Sequence, residues 1–158
     1  VDVEGESFDG FGIKGSYAFN DSFYGFAGYQ QNDDDALELS ETTIGLGFRK
    51  ALNAKTDWTN EVSFVSNDID LSAVAGIGGG SENGYRVATG VRSLLTDKFE
   101  LNGNLNYTDV SNFGNGIGAG VGAVYHVNNT WGLTANYNYG QRDDVEINNW
   151  GVGVRASF

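Results

Sequence analysis

The sequence feature that most constrains the fold is an alternation of hydrophobicity with a period of two. It recurs along the chain in stretches of about ten residues. In the last stretch the apolar residues Trp150, Val152 and Val154 alternate with residues such as Gly153 and Arg155. Successive side chains of a β-strand point to opposite faces of the sheet, so this alternation predicts strands with one apolar and one small or polar face. A tilted strand that crosses a bilayer has about this length.

Strands and polar connections alternate along the whole chain. Full strands are predicted at residues 10–19, 22–31, 42–50, 56–66, 85–95, 98–108, 116–127, 130–140 and 148–158. Short connections occupy residues 20–22, 53–57, 96–98 and 128–130, and long polar ones occupy residues 32–41, 67–84, 109–115 and 141–147. Short turns at one end of the strands and longer loops at the other are typical of β-barrels in bacterial outer membranes.

The hairpins at the short turns repeat in register. Each turn is entered from an apolar residue, namely Phe19, Leu52, Leu95 or Val127, and is left through an aromatic residue, namely Phe23, Trp58, Phe99 or Trp131. Three residues before the entry positions lie Ser16, Arg49, Arg92 and Val124, and Arg155 stands in the same relation to Phe158. An odd offset along a strand changes the face, so we expect these residues to point inward at one depth.

Aromatic residues fall into two bands. The band near the short turns contains Phe19, Phe23, Phe48, Trp58, Phe99, Tyr125, Trp131 and Phe158. The band near the long loops contains Phe11, Tyr29, Tyr85, Tyr107, Tyr137, Tyr139 and Trp150. Two aromatic girdles separated by small and aliphatic residues match the two interfaces between lipid and water.

The composition agrees with this prediction but does not decide it. The chain has 158 residues and a net charge of −12, and we assign residues 1–158 to a single domain. It contains no Cys, which excludes disulfides, and no Pro, which suits a sheet in which every backbone N–H donates. No stretch approaches the ~18 apolar residues of a membrane helix, and we expect an export signal to have been removed. A soluble acidic β-sandwich would have a similar composition.

The final strand resembles the C-terminal strand of Gram-negative outer-membrane proteins. Its apolar positions alternate up to Phe158, the residue type that the barrel-assembly machinery reads in that family. The whole chain resembles small barrels of the OmpA/OmpX-like and porin-like superfamily, and residues 9–17 are similar to a xanthomonad-type family of small barrels. The resemblance implies an all-β, antiparallel, up-and-down transmembrane β-barrel in the bacterial outer membrane, in contact with lipid and lipopolysaccharide.

The number of strands requires one further assumption. Nine full strands are predicted, whereas bacterial single-chain barrels have even numbers. With the short turns and Phe158 on the periplasmic side, an upward strand must precede residue 10, and residues 1–4 fit its outer end. We therefore expect ten strands with the first truncated, and eight strands as the alternative.

The interior is predicted to be polar. Its charged residues are Lys14, Arg49, Glu61, Arg86, Arg92, Glu100 and Arg155. Pairing of residues 52 and 58 across their turn would also pair Arg49 with Glu61, so we expect an ion pair there. A barrel of about ten strands is close to the size that side chains fill, so we expect a narrow or plugged lumen. If solutes can pass through the lumen, an excess of inward Arg and Lys would favour anions.

The outer loops carry most of the acidic residues. The densest cluster is Asp33, Asp34, Asp35 and Glu38, which is a weak candidate for Ca²⁺ or Mg²⁺ because its spacing matches no calcium loop. We expect no other cofactor. These loops, of which residues 67–84 form the longest, could instead bind a protein partner or lipopolysaccharide in an adhesion barrel. This function and a structural or porin-like one both remain open.

We predict no enzymatic activity. The single histidine, His126, lies beside a periplasmic turn and has no second His with which to bind zinc. Ser157 could approach it, but no carboxylate is placed to orient the imidazole. The acidic balance of the chain disfavours nucleic acid as a partner.

Overall fold

The computed structural model describes residues 2–3, 6–7, 9–34, 37–70, 80–111, 114–142 and 145–156. Nine long strands account for most of them: β3 (Asp9–Ala18), β4 (Phe23–Asp34), β5 (Leu37–Asn53), β6 (Thr56–Asp70), β7 (Gly80–Thr96), β8 (Phe99–Val110), β9 (Gly114–His126), β10 (Trp131–Arg142) and β11 (Val145–Ala156). Two short strands, β1 (Asp2–Val3) and β2 (Glu6–Ser7), precede them. The part of the chain covered by these ranges contains no helix long and apolar enough to cross a membrane.

The strands form one antiparallel sheet in which β3 to β11 pair in chain order. The sheet curls until β3 and β11 lie next to each other, so it is a nearly closed barrel of nine long strands. The prediction of an all-β, antiparallel, up-and-down barrel is confirmed. A full tenth strand is not confirmed in the described ranges, and the alternative of eight strands does not match either. Within the described residues, β1 pairs with β11 at Ile147 and Asn148, and β2 pairs with β1, so these two short strands extend the β11 edge of the sheet.

Each short turn is closed by one polar side chain. Oδ1 of Asn20 accepts hydrogen bonds from the backbone N–H groups of Ser22 and Phe23, both at 2.8 Å. Asn128 repeats this arrangement with Thr130 and Trp131 at 2.9 and 2.8 Å. Asn and Ser/Thr side chains stabilise turns by such local bonds, which explains why the hairpins repeat in sequence.

The apolar faces of the strands point outward. Trp150, Val152 and Val154 are 70%, 78% and 65% exposed, and many large apolar residues of the other strands are exposed as well. The buried residues lie on the opposite face. Four of them are apolar, namely Phe26, Val65, Val110 and Val124, and three are polar or charged, namely Ser63, Glu100 and Thr108. This distribution is the reverse of a soluble sandwich, whose apolar face is buried, and it contradicts that alternative.

One predicted register is wrong. Arg49 lies opposite Thr59, and Glu61 lies opposite Gly47, so the expected ion pair between Arg49 and Glu61 does not form. The turn between β5 and β6 is tighter than predicted, with Asn53 opposite Thr56, and an irregularity between Ala51 and Asn53 shifts the pairing further. A bulge of this kind displaces every later pair along the ladder.

Several strands are longer than predicted at their loop ends. β5 and β7 each have 17 residues, and they begin at Leu37 and Gly80 rather than near residues 42 and 85. Glu41 and Glu82, which were expected in outer loops, are therefore strand residues. Each shares a face with inward-pointing residues of its strand.

Candidate functional site

An ionic cluster crosses the interior near the short turns. Its centre is the carboxylate of Glu100 on β8, which is 7% exposed. This carboxylate lies 3.2 Å from Arg155 Nη1, 3.8 Å from Arg92 Nε and 3.7 Å from His126 Nε2. Arg92 also forms an ion pair of 2.7 Å with Asp57. The cluster thus supplies the partners that a buried charge needs.

A second group connects β3, β4 and β6 through the interior. The Tyr24 hydroxyl donates to Glu61 Oε1 at 2.7 Å. Lys14 Nζ lies 3.9 Å from the other oxygen of Glu61 and 4.8 Å from the centre of the Phe26 ring. The ammonium thus interacts with a carboxylate and with an aromatic face.

Two glycines of β5 make room for this group. The Tyr24 ring lies directly against Gly47, where a Cβ would overlap it. A Cβ at Gly45 would lie 2.6 Å from the Phe26 ring. Because β5 has no side chains at these inward positions, the rings of β4 lie across it, and Tyr24 reaches Glu61 on β6.

A third group lies nearer the long loops. Arg86 on β7 donates to both carboxylate oxygens of Glu41 on β5, at 2.9 and 2.7 Å. Its Nε donates to Thr108 Oγ1 at 3.0 Å, and the Thr43 hydroxyl donates to Glu41 at 3.2 Å. A two-pronged arginine–carboxylate contact fixes geometry as well as charge. It spans β6, which lies between the two strands.

The structure brings together some of the charged residues that the sequence indicates for the lumen. Arg92, Glu100 and Arg155 share one cluster, and Lys14 approaches Glu61. Arg86 and Arg49 have other partners: Arg86 pairs with Glu41, and Arg49 Nε donates to the backbone carbonyl of Asp21 at 2.8 Å.

Two inward acids were missed by the sequence interpretation. Asp57 was included in a turn and Glu41 in a loop, yet both form interior ion pairs. Continuing the alternation of β5 back from Gly45 and Gly47 would have placed Glu41 on their face. These two acids reduce the expected excess of inward bases and weaken the basis for a preference for anions.

The aromatic residues predicted for the girdles lie on the outward face where the structure describes them. Phe23 packs against Phe48 with ring centres 5.3 Å apart, and Trp58 Nε1 donates to Thr89 Oγ1 at 2.9 Å. The remaining described girdle positions of the prediction are also exposed, namely Phe99, Trp131 and Trp150. Phe158 lies outside the described residues.

The predicted metal site lies outside the side chains that the structure describes. Asp35 lies outside the described residues, and so do the side chains of Asp33, Asp34 and Glu38. Elsewhere in the described ranges, no group of three or more metal-binding side chains is present. His126 contacts Glu100 within the ionic cluster, whereas Ser157 lies outside the described part.

Several solved structures have chain traces similar to that of this chain. They include the translocator domain of the autotransporter NalP from Neisseria meningitidis, with 15% identity, a TM-score of 0.48 and coverage of 93% of this chain and 78% of the other. A KdgM porin has 12% identity, a TM-score of 0.47 and coverage of 96% and 95%. OmpT of Vibrio cholerae has 18% identity, a TM-score of 0.34 and coverage of 93% and 64%.

The family is established by a different comparison. No curated protein matches the chain. The family model for the outer membrane protein β-barrel domain matches residues 2–158, which is nearly the whole chain. Together with the outward apolar faces, this match means that the chain belongs to the outer membrane protein β-barrel domain family.

Proposed function

We propose that this protein is a porin-like barrel of the outer membrane with a narrow polar lumen and low conductance. The observation that carries the proposal is that side chains bridge strands that are not neighbours. Arg155 and Glu100 connect β11 with β8, and Lys14 connects β3 with Glu61 on β6. Small barrels are largely filled by their inward side chains, so little cross-section is left for solutes.

The interior ion pairs would also reduce the selectivity of the lumen between anions and cations. Three of the four inward arginines are paired with Glu41, Asp57 or Glu100, so positive charge dominates the path only weakly. The same side chains argue against catalysis, because they are engaged with each other instead of converging on a free nucleophile or general base. We therefore propose that the protein is not an enzyme.

We further propose the usual orientation of the family. The long loops would face the exterior and the short turns the periplasm, as in other outer-membrane barrels. The exposed apolar band would contact lipid and lipopolysaccharide, and Phe158 would be read by the barrel-assembly machinery.

Planar-bilayer recording tests the conductance. The protein should form small, weakly charge-selective steps. The double substitution Glu100→Ser with Arg155→Ser should enlarge them, because it removes a bridge across the interior. Glu146→Ser with Gln141→Ser on the outward face is the matched control and should leave the steps unchanged. Equal conductance in all three proteins would contradict the proposal.

We also propose that a tenth strand occupies the seam between β11 and β3. β11 is paired with β1 only at Ile147 and Asn148, although β11 extends to Ala156. An unpaired backbone N–H in hydrocarbon costs several kcal/mol, roughly, so a strand that pairs with this edge would stabilise the barrel. Hydrogen exchange of the β11 amides that point away from β10 tests it. Slow exchange is expected, and exchange as fast as in the long loops would show an empty seam.

A second candidate function is an interaction barrel with an acidic outer rim. The strand register places four acidic positions opposite one another on β3 to β6, namely Asp9, Asp33, Glu38 and Asp70. Like charges in such pairs destabilise a sheet, and a divalent cation would relieve the repulsion. Ca²⁺ or Mg²⁺ should then raise the unfolding temperature. Asp33→Asn with Glu38→Gln should abolish the rise, whereas Asp97→Asn at a short turn should retain it.

A further inference from the structure

A strip of asparagines lies on the inner face of the barrel where β8, β9 and β10 run side by side. We call it the amide strip, and it consists of Asn102, Asn104, Asn106, Asn136 and Asn138. The positions of β9 that pair with these asparagines are all glycines: Gly118, Gly120 and Gly122. Side chains from β8 and β10 therefore face each other over a strand that has none at this level.

The amides of the two outer strands converge over the glycines. A Cβ built on Gly120 would lie 2.5 Å from Oδ1 of Asn138 and 2.8 Å from Nδ2 of Asn104. A Cβ on Gly118 would lie 2.9 Å from both amide atoms of Asn106. Amide groups from both strands are thus close enough to contact one small solute at the same time.

The hydrogen-bonding capacity of these amides is not used by the other residues that the structure describes. Across the ranges that the structure describes, none of the five side chains forms a hydrogen bond with another described residue. Asn136 and Asn138 are exposed even though they face inward. The charged side chains of the interior differ in this respect, because they are paired with one another.

We propose that the amide strip binds uncharged, hydroxyl-rich solutes, of which sugars are the chemical class. Each amide supplies two donor hydrogens and one acceptor oxygen, which match hydroxyl groups that both donate and accept. The strip has no net charge, and the nearest ionic cluster is internally neutralised. This inference rests on the proposed function, because it treats the interior as the path of the solute.

Ligand-observed NMR of the protein in phosphocholine micelles tests the binding without requiring transport. The probe is raffinose, a neutral trisaccharide, and glucuronate is its charged counterpart. Saturation transfer to raffinose should be clear for the unmodified protein and weaker for glucuronate. Asn104→Val with Asn138→Val should weaken raffinose binding about ten-fold, because two amide groups that form hydrogen bonds with the sugar are lost. Asn60→Val, on the outward face of β6, should leave binding unchanged.

Equal saturation transfer to raffinose and glucuronate would overturn the inference. Equal transfer to raffinose in the Asn104→Val/Asn138→Val double variant and in Asn60→Val would overturn it as well. Absence of transfer to raffinose in the unmodified protein would overturn it as well. Circular dichroism and heat-modifiability of the same samples show whether the double variant is folded, and Asn138→Asp provides a second, polar replacement that should also weaken raffinose binding. Bilayer conductance separates the two proposals. If raffinose binds but Glu100→Ser with Arg155→Ser leaves the conductance unchanged, only the proposed function is contradicted.

Discussion

Arg155 and Glu100 form an ion pair of 3.2 Å across the interior, although two strands, β9 and β10, separate them in the sheet. Both side chains start from the barrel wall and meet inside it. Gly132, which lies opposite Arg155 on β10, has no side chain to obstruct this path. The ion pair therefore depends on the curvature of the whole sheet.

Replacement of Glu100 by Gln should destabilise the barrel. Arg92, Arg155 and His126 all approach this carboxylate, and its loss leaves two guanidinium groups with reduced compensation. Hydrogen bonds to charged groups contribute roughly 1.5–3 kcal/mol, so we expect a loss of about 2 kcal/mol, discounted for the partly exposed arginines. Urea unfolding in detergent micelles measures it. Glu146→Gln on the outward face is the control, and an equal loss in both would contradict the assignment.

Gly47→Ala should be destabilising because the new Cβ would overlap the Tyr24 ring. Overpacking of this kind costs ~1–3 kcal/mol and should separate Tyr24 from Glu61. Gly15→Ala is a matched control, since nothing lies within 4 Å of a Cβ there. A double-mutant cycle with Tyr24→Ala should recover part of the loss. Additive effects of the two substitutions would show that the ring and the glycine are not coupled.

Leu105→Arg should impair insertion far more than Asn115→Arg. Leu105 is 64% exposed in the middle of the outward face of β8, whereas Asn115 lies near the loop end of β9. An arginine at the bilayer midplane costs about 2–4 kcal/mol, and near the interface it costs about 0–1 kcal/mol. Folding into lipid vesicles, followed by urea titration, measures the difference. Similar stabilities of the two variants would place Leu105 outside the hydrocarbon.

Asn128→Ala should weaken the last short turn. Two backbone N–H groups lose their acceptor, and each such bond contributes ~0.5–1.5 kcal/mol. The neighbouring Asn129→Ala should have little effect on the free energy of unfolding. If both variants unfold at the same urea concentration, the turn does not depend on the Asn128 side chain.

Much of this fold follows from local patterns in the sequence. The alternation through Trp150, Val152 and Val154 depends only on neighbouring residues, so the faces of the strands could be predicted from it. The turns were also predictable, because Asn20 and Asn128 stabilise them through bonds to residues two and three positions later.

The pairings inside the barrel could not be predicted in the same way. The tighter turn at Asn53 and Thr56 and the irregularity between Ala51 and Asn53 together move Arg49 from Glu61 to Thr59. No local sequence pattern predicts either of them. The partner of Arg86 lies 45 residues away on a strand that is not its neighbour. Such a contact depends on the curvature of the sheet and on small residues between the strands, which are properties of the folded barrel.

Site-directed spin labelling of β8 tests the central claim that the strands face lipid on one side and an enclosed polar interior on the other. The chain has no Cys, so single cysteines at positions 101 to 106 can be labelled selectively. Labels at 101, 103 and 105 should be relaxed by lipid-soluble oxygen, and labels at 102, 104 and 106 should not. Uniform oxygen accessibility, or the opposite alternation, would contradict it.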